Sequence, residues 1–500
     1  MILNKTLFFL LGLCLLMGNK PEIPSMEISI NPPNILWIYV EDLNPVLSCY
    51  GANNNPTPAI DFLAENGVLF ENAYTPAPVC SAARSAIITS TMPTTFGTHN
   101  HHSSRTVEDA IFLPKNFLTI PEIFKTAGYY TFNHGKDDYN FIYNRKALYN
   151  DSVALDYWYT FSGKGNWIDS LSQERPFFGQ VQLTGGKWGI TQLYPKLKGQ
   201  INPINRDDIE IPPYYPDIPE VREDIARHYD AARMTDLEVA NIIQKLKDKN
   251  LLNNTYIFFF TDHGYKGIRH KQFVYDGGIQ IPLIVSYFGK EDKLQKNKRR
   301  KDLVSGIDIG TTSLALAGLE IPKSMEGFDF FANDYQRDFI IATRDRCDFS
   351  IDRIRAVRTK EFKYIKNYMP ERSYTQPSYR DQRTEFKSIK AAYDAGNLNE
   401  VQAKYWKPTK PKEELFDLIN DPYEINNLAE NAAYKNQLNT MRNHLQKWQD
   451  TYGDKGTEPQ NPYSLLDMYK RWGERCVNPE FDTIKTMRIP NTPRRDLTKG

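Results

Sequence analysis

The chain has 500 residues, which leaves room for about three domains of ordinary size or for one of the larger domains that α/β enzymes form. Its 62 basic and 61 acidic residues balance to a net charge of +1, so no overall basic field points to a nucleic-acid partner. Five cysteines are too few for a disulfide-stapled fold, whereas 30 Tyr, 27 Phe and 7 Trp suit a large core and clefts that stack on sugar rings.

Residues 1–20 are typical of a secretory signal peptide. A lysine precedes an apolar run over residues 7–17, which is too short to span a bilayer. A buried core segment is the alternative, and Cys14 resembles a lipoprotein cleavage site only faintly, because Leu13 stands where a small residue belongs. We therefore predict export to the periplasm, the cell surface or the medium, with no membrane span beyond the signal peptide.

From residue 34 onward, short apolar runs alternate with helix-like segments. The clearest helix covers residues 224–249, where apolar residues recur at roughly helical spacing. Strands that alternate with helices predict a largely parallel sheet covered on both faces, and we assign residues 30–335 to this larger domain. The runs predicted to be buried strands are 35–40, 129–133, 177–183 and 256–260.

The pattern changes after about residue 335. Residues 354–359 and 363–368 predict a β-hairpin, and residues 432–452 predict a helix. We therefore expect a smaller α+β subdomain over residues 336–470. The segment 471–500 is rich in charge and is expected to be an extended tail that wraps the surface.

Polar residues follow each of the four predicted strands. Ligands bind outside the carboxyl ends of strands in open α/β sheets, so these clusters are expected to meet at one site. Carboxylates favour calcium or magnesium, whereas an imidazole leans toward a transition metal; a solvated turn is the alternative for an acidic pair alone. The clusters are Glu41-Asp42, His134-Gly135-Lys136, Thr184-Gly185-Gly186-Lys187 and Asp262-His263.

Cys80 opens the sequence Cys-Ser-Ala-Ala-Arg, which ends at Arg84. The small residues suit a closely packed helix, and this places Cys80 at a helix N-terminus, where backbone N–H groups favour an anion. A buried free cysteine is the alternative for a lone Cys.

Together these residues resemble the type I sulfatases of the alkaline phosphatase superfamily. The resemblance covers about residues 34–430 with motif order and spacing preserved, which is far more specific than one pattern. The matching motifs are residues 34–42, 57–61, Cys80-x-Ala82-x-Arg84, Asp262-His263-Gly264, Lys271 ahead of Asp276-Gly277, 278–285, 414–422 and 426–428.

The resemblance implies an alkaline-phosphatase-like α/β sandwich and the hydrolysis of sulfate esters, with a sulfated carbohydrate as the preferred substrate. It implies that a maturation enzyme oxidises Cys80 to formylglycine, whose hydrate is the nucleophile, and that Arg84 steadies this group. Lys136 and Lys271 are expected to contact the sulfate or the leaving oxygen. The implied calcium ligands are Glu41, Asp42, Asp262 and His263.

Three positions depart from the family pattern. Ala82 stands where many relatives have Pro, Asp138 where many have His, and Gly186-Lys187 where many have a Pro-His pair. Lys187 is a candidate replacement proton donor, because neighbouring cations and a metal can lower a lysine pKa. His134 and His270 are the alternative proton donors. Candidates for substrate binding are these two histidines, His99 in a histidine-rich loop, Asp138, Arg344 and Arg353.

The missing histidines keep two other functions open. One is a phosphoester hydrolase of the same superfamily, because phosphate and sulfate esters share their shape. The other is a non-catalytic glycan-binding protein that retains the fold.

Overall fold

The computed structural model describes residues 32–151, 167–191, 194–289 and 294–487. The predicted signal peptide lies outside these residues. Within them, the strands are β1 Asn34–Val40, β2 Gly67–Tyr74, β3 Tyr130–His134, β4 Phe177–Leu183, β5 Thr255–Thr261, β6 Leu283–Tyr287, β7 Lys298–Ser305, β8 Ile340–Arg344, β9 Ile354–Arg358, β10 Phe362–Asn367 and β11 Glu413–Asp417.

Helices separate most of these strands, and none in the described ranges is long and apolar enough to cross a membrane. They are α1 Pro58–Glu65, α2 Cys80–Thr89, α3 Ile120–Thr126, α4 Arg145–Leu148, α5 Tyr194–Leu197, α6 Pro219–Asp248, α7 Asp276–Ile279, α8 Asp308–Leu316, α9 Thr384–Asp394, α10 Glu400–Ala403, α11 Lys435–Tyr452, α12 Pro462–Trp472 and α13 Asp482–Thr486.

The larger sheet has seven strands in the order β3-β4-β1-β5-β6-β2-β7. Neighbours pair in parallel except where β6 lies between β5 and β2, so the sheet is mixed and mostly parallel. The four predicted strands are confirmed as β1, β3, β4 and β5, and they are neighbours. Their carboxyl ends therefore meet along one stretch of the sheet edge.

Both faces of this sheet are covered, which explains why its central strands read as continuous apolar runs. Alternate residues of a strand point to opposite faces. Trp37 packs in one core, with Phe178 and Phe260 at ring distances of 5.0 and 5.5 Å. Ile38 packs in the other, which α6 closes with Ile242 and neighbouring apolar residues. The predicted long helix is confirmed as α6 and begins at a proline, as helix first turns often do.

The smaller sheet is antiparallel, in the order β11-β10-β9-β8. The predicted hairpin is confirmed as β9 and β10, and the predicted helix as α11, preceded by one 3₁₀ turn at Ala432–Tyr434. Val357 and Leu415 of this sheet pack against Met441 and Leu445 of α11. This packing makes a second, smaller core.

The expectation of an extended tail is wrong for residues 471–487. This segment forms short helices, continuous with α12 and ending in α13. The reason is apolar burial: Leu465 and Met468 of α12 pack with Phe481 and with Phe349 and Ile351 of the smaller domain. The tail is therefore part of a packed cluster.

A substitution at Phe258 tests how much the central core contributes to stability. It is fully buried in β5, whereas Phe112 is 67% exposed on a loop. We expect Phe258→Ala to cost ~3–5 kcal/mol, because it removes a large buried ring and leaves a cavity. The matched Phe112→Ala is expected to stay within ~0.5 kcal/mol of the unchanged protein. Denaturation midpoints measure both, and equal losses would contradict this account of the core.

Candidate active site

Two acidic segments meet where β1 and β5 end. The Asp262 N–H donates to the Val40 carbonyl at 3.0 Å, and the Asp42 N–H donates to the Asp262 carboxylate at 3.0 Å. Asp42 adopts a left-handed backbone with φ of 50°, which Asp tolerates better than most residues. Glu41, Asp42 and Asp262 are all buried. The predicted convergence of these strand ends is present in the structure.

Cys80 is the first residue of α2, and its thiol faces the acidic cluster. The Sγ atom lies 3.2 Å from Lys271 Nζ, 3.2 Å from His263 Nε2 and 3.8 Å from Asp42 Oδ1. Burial raises the pKa of the Cys80 thiol to about 12, although Lys136 and Lys271 act against this shift. The unmodified thiol therefore stays protonated at neutral pH.

Arg84 lies one helical turn after Cys80, on the same face of α2. Its guanidinium donates to Glu41 Oε1 at 2.6 Å and to Gln182 Oε1 at 2.7 Å, and its Nε lies 3.5 Å from Asp262 Oδ2. The ring of Tyr39 lies beneath it at 4.3 Å. Arg84 is thus a fully buried cation that joins α2 to the ends of three strands.

Three lysines surround the same carboxylates. Lys136 Nζ lies 2.9 Å from Glu41 Oε1 and 3.0 Å from Asp138 Oδ2. Lys271 Nζ lies 3.0 Å from Asp42 Oδ1, and Asp42 raises the Lys271 pKa well above its usual range despite the opposing effect of burial. Lys187 contacts the other oxygen of Glu41. Burial and the charge of Lys271 lower the pKa of Lys187 well below that of an ordinary lysine.

The glycine pair before Lys187 lets its backbone pass beside β1. Gly185 has a φ of 55°, and a Cβ there would lie 2.2 Å from the Glu41 carbonyl oxygen. A Cβ on Gly186 would lie 1.8 Å from the Asp42 carbonyl oxygen. Only glycine fits this close approach. The turn of residues Gly185–Ile190 can therefore bring Lys187 to Glu41.

Four side chains at this site have the donor set and spacing for a cation. Ligand atoms of Asp42, Cys80, Asp262 and His263 all lie within 4.8 Å of one another. Asp262 Oδ2 is buried without a hydrogen-bond partner. Burial lowers the pKa of His263 to about 4, so its ring is neutral, and Nδ1 lies 2.8 Å from the Gly264 carbonyl, to which it donates. Nε2 then keeps its lone pair toward the carboxylates.

Glu41 differs from the other predicted metal ligands. Both of its carboxylate oxygens are occupied by cationic side chains, namely Arg84, Lys136 and Lys187. Glu41 therefore acts in the structure as the shared counter-ion of three cationic side chains. Its role as a metal ligand stays a prediction.

The structure places His134 and His270 in other environments. His270 Nδ1 lies 2.9 Å from the Gly277 carbonyl, and its Nε2 lies 3.2 Å from the Tyr214 hydroxyl, so the ring braces a turn. Burial lowers the His134 pKa, and the charges that act on it next are those of Asp151, Lys245 and Arg145. Neither histidine takes part in the Cys80 contacts described above.

Three of the four remaining predicted substrate-binding residues also have partners outside the Cys80 cluster. Arg344 is buried in an ion pair with Asp352, because a buried guanidinium needs a carboxylate partner. Arg353 lines a separate cleft beside Met369 and Pro462. His99 is buried, and burial lowers its pKa; the next charges acting on it are those of Asp345 and Arg355 in the smaller domain.

Sequence reasoning missed a second polar cluster at the edge of this site. Asp138, predicted as a substrate contact, pairs with Arg105 at 3.0 Å as well as with Lys136. His102 Nε2 lies 3.8 Å from Asp138, and its Nδ1 lies 3.1 Å from Asp348 of the smaller domain. His101 pairs with the second oxygen of Asp348 at 3.2 Å. Only the density of histidines over residues 98–102 hinted at this cluster.

Gln182 was missed as well, although the sequence carried a signal for it. It lies in β4, two residues after Gln180, so both amides point to one face of an otherwise apolar strand. Buried amides need partners, and Gln182 binds Arg84 and also Asn133 at 2.9 Å.

Comparison with known proteins decides the family. The sulfatase family model matches residues 33–319, and the model of the N-sulphoglucosamine sulphohydrolase C-terminal region matches residues 263–411. The chain belongs to the sulfatase family. An ulvan-active sulfatase of Formosa agariphila is 30% identical to this sulfatase, over 99% of this chain and 88% of that one.

Solved structures show the same fold at low identity. A putative sulfatase from Bacteroides thetaiotaomicron matches this sulfatase with a TM-score of 0.62 and 19% identity, covering 86% of this chain and 94% of that one. A phosphonate monoester hydrolase of Agrobacterium radiobacter matches with a TM-score of 0.61 and 15% identity, covering 85% and 97%. The predicted alkaline-phosphatase-like fold is confirmed, and this fold also occurs in a hydrolase of phosphorus esters.

The cluster of Asp42, Asp262 and His263 generates a binding prediction. We expect saturating Ca²⁺ to raise the melting temperature of this sulfatase, because an ion that binds only the folded state at 100 times its Kd adds ~2.7 kcal/mol of stability. Asp262→Asn should lose most of this shift, while Asp334→Asn, which changes an exposed carboxylate, should keep it. Calorimetry with Ca²⁺ and with EDTA measures both, and equal shifts in the two variants would rule the cluster out as the binding site.

Proposed function

We propose that this sulfatase is exported and hydrolyses sulfate esters of a sulfated polysaccharide, with a formylglycine formed from Cys80 and with a bound calcium ion. The observation that carries the proposal is the position of Cys80. Its side chain lies at a helix N-terminus, within 3.2 Å of both Lys271 and His263. A reacting group there has the Lys271 ammonium and the Asp42 carboxylate, at 3.8 Å from the sulfur, as close neighbours.

The thiol itself is poorly suited to attack. A nucleophilic cysteine needs a thiolate, whereas burial raises the pKa of Cys80 to about 12. A hydrated aldehyde at this position would supply one hydroxyl to attack sulfur and a second whose oxygen reforms the aldehyde as sulfate leaves. An unmodified cysteine lacks that second hydroxyl. The proposed oxidation therefore supplies what the folded thiol lacks.

The cationic side chains have separate tasks in this proposal. Lys136 and Lys271 hold the sulfate oxygens and balance the charge that develops on them. Arg84 keeps its contacts with Glu41 and Asp262 and so fixes the reacting end of α2. A calcium ion held by Asp42, Asp262 and His263 would add positive charge beside the sulfate and lower the cost of a charged nucleophile.

Lys187 is the proposed proton donor to the leaving oxygen. It occupies the position where many relatives have histidine, and its lowered pKa brings its proton affinity closer to the range that acid catalysis at neutral pH requires. Contact with Glu41 acts in the opposite direction and favours the protonated ammonium. The pair can therefore hold a proton close to the site.

A polysaccharide substrate is supported by a relative from Formosa agariphila. The Formosa agariphila protein is named for its action on ulvan, and it matches 99% of this chain. The amino-terminal segment expected to be a signal peptide agrees with a polymer that is met outside the cell. These two observations favour a sulfated polysaccharide over a cytoplasmic metabolite.

The modification of Cys80 is tested by mass. We expect the peptide that contains Cys80 to lose roughly 18 Da when the protein is made with a formylglycine-generating enzyme, because an aldehyde replaces the thiol. Protein with this loss should release sulfate from sulfated polysaccharide oligomers.

The matched variants are Cys80→Ala and Cys49→Ala, since both remove one cysteine thiol. Cys80→Ala should reduce sulfate release by at least ~1000-fold, because the nucleophile is gone, whereas Cys49→Ala should keep it. An unmodified Cys80 in an active protein, or an active Cys80→Ala variant, would contradict the formylglycine mechanism. Glycan binding that survives in an inactive wild type would favour the non-catalytic alternative.

A phosphoester hydrolase is the second candidate, because the phosphonate monoester hydrolase has the same fold. Comparing kcat/KM for aryl sulfate and aryl phosphate with one leaving group separates the two functions. We expect kcat/KM for the sulfate ester to exceed that for the phosphate ester by at least ~10-fold. The site offers Lys136, Lys187 and Lys271 to an anion, and among the described residues only one group of metal ligands lies at Cys80. Preference for the phosphate ester would reverse the assignment.

A further inference from the structure

The helix α12 lies against the histidine-rich loop at the edge of the active site. Arg346, fully buried, donates to Ser464 Oγ of this helix at 2.8 Å. Just before α12, the Gln460 side chain donates to Asn100 Oδ1 at 3.2 Å, and the Asn461 side chain donates to the Glu108 carbonyl at 3.3 Å. Together with the apolar cluster beneath α12, these bonds fix where its last turn lies.

Arg471, in the last turn of α12, lies beside His102. The Arg471 guanidinium nitrogen Nη1 lies 3.4 Å from His102 Nδ1, and the Arg471 side chain is exposed. The His102 side chain is 23% exposed, so solvent reaches both groups. The ring of Trp472 lies 5.4 Å from the guanidinium and flanks it.

His102 connects this arginine to the reacting end of α2. The His102 N–H donates to Ser81 Oγ at 3.1 Å, and Ser81 follows Cys80 directly. The other ring nitrogen of His102 lies 3.8 Å from Asp138, which pairs with Lys136. The rim at Arg471 is therefore separated from the cationic groups around Cys80 by two side chains.

The acids at this rim already have partners within the protein. Asp138 is paired with Arg105 and Lys136, and the carboxylate oxygens of Asp348 lie 3.2 and 3.1 Å from ring nitrogens of His101 and His102. Over the described ranges, no carboxylate forms an ion pair with Arg471. An exposed, planar guanidinium without a carboxylate suits an incoming carboxylate or sulfate, which it binds through two parallel hydrogen bonds.

We propose that Arg471 binds a second anionic group of the substrate, so that this sulfatase selects glycans whose cleaved sulfate lies near another carboxylate or sulfate. The proposal rests on the glycan sulfatase function proposed above. Arg471 acts here as a substrate-binding residue at the rim, while the reacting sulfate is held by the groups around Cys80.

The experiment compares full-length, formylglycine-bearing proteins on matched sugar sulfates. One pair is a sulfated uronide and its methyl ester, and the other is a disulfated sugar and its monosulfated analogue. We expect Arg471→Gln to lower the kcat/KM ratio of the dianionic over the monoanionic substrate by ~10- to 100-fold, because a charge-assisted hydrogen-bond pair is lost. The change should appear in KM, since Arg471 lies away from the reacting atoms.

Lys470→Gln is the matched control, because it removes the same charge from the same turn at a position about 100° around the helix. Its ratio should equal that of the unchanged protein. A loss confined to the uronide pair identifies a carboxylate as the bound anion, and a loss confined to the disulfated pair identifies a second sulfate. An unchanged ratio in Arg471→Gln for both pairs overturns the proposal.

Binding separates this proposal from the proposed function. In a Cys80→Ser background, calorimetric titration with the dianionic sugars measures affinity without turnover. Weaker binding on adding Arg471→Gln supports the arginine assignment even if the wild type releases no sulfate, an outcome that would refute the hydrolytic function alone. Equal affinities with and without Arg471→Gln overturn the arginine assignment whatever the activity.

Discussion

Three carboxylates are buried side by side at the ends of β1 and β5, and the rest of the site depends on balancing their charge. Glu41, Asp42 and Asp262 are shielded from water, and an uncompensated charge in such a place is strongly destabilising. The cations that balance them come from separate parts of the chain. They are Arg84 from α2, Lys136 after β3, Lys187 after β4 and Lys271 from the loop before α7.

This balance links fold and chemistry. The sheet order places β3, β4, β1 and β5 next to one another, so each of their loops reaches the same small volume. In the proposed function, two of the side chains that balance these acids, Lys136 and Lys271, also hold the sulfate group. An arriving anion would then share the counter-charge that Glu41 and Asp42 provide, which would couple substrate binding to the ion pairs that stabilise the site.

The sequence alone predicted those strands and helices that short stretches of neighbouring residues identify. The buried strands were visible as apolar runs, and their polar ends identified Glu41, Asp262 and Lys136 because parallel strands bring such ends together. The role of Arg471 was not visible, since it depends on where α12 docks. The buried ion pair of Arg344 with Asp352 was not visible either, because the sequence does not distinguish a solvated arginine from one that is paired in the core.

The glycine pair at 185–186 has a consequence for how members of this family are compared and engineered. The family pattern that the sequence resembles has proline and histidine where this chain has Gly186 and Lys187. A proline at 186 would drive its ring atoms into the Asp42 carbonyl, since even a Cβ there lies 1.8 Å from that oxygen. Replacing Gly186-Lys187 by proline and histidine would therefore change the backbone path of the loop as well as the side chain. An exchange of this motif between relatives would have to include the whole connection from β4 to the following turn.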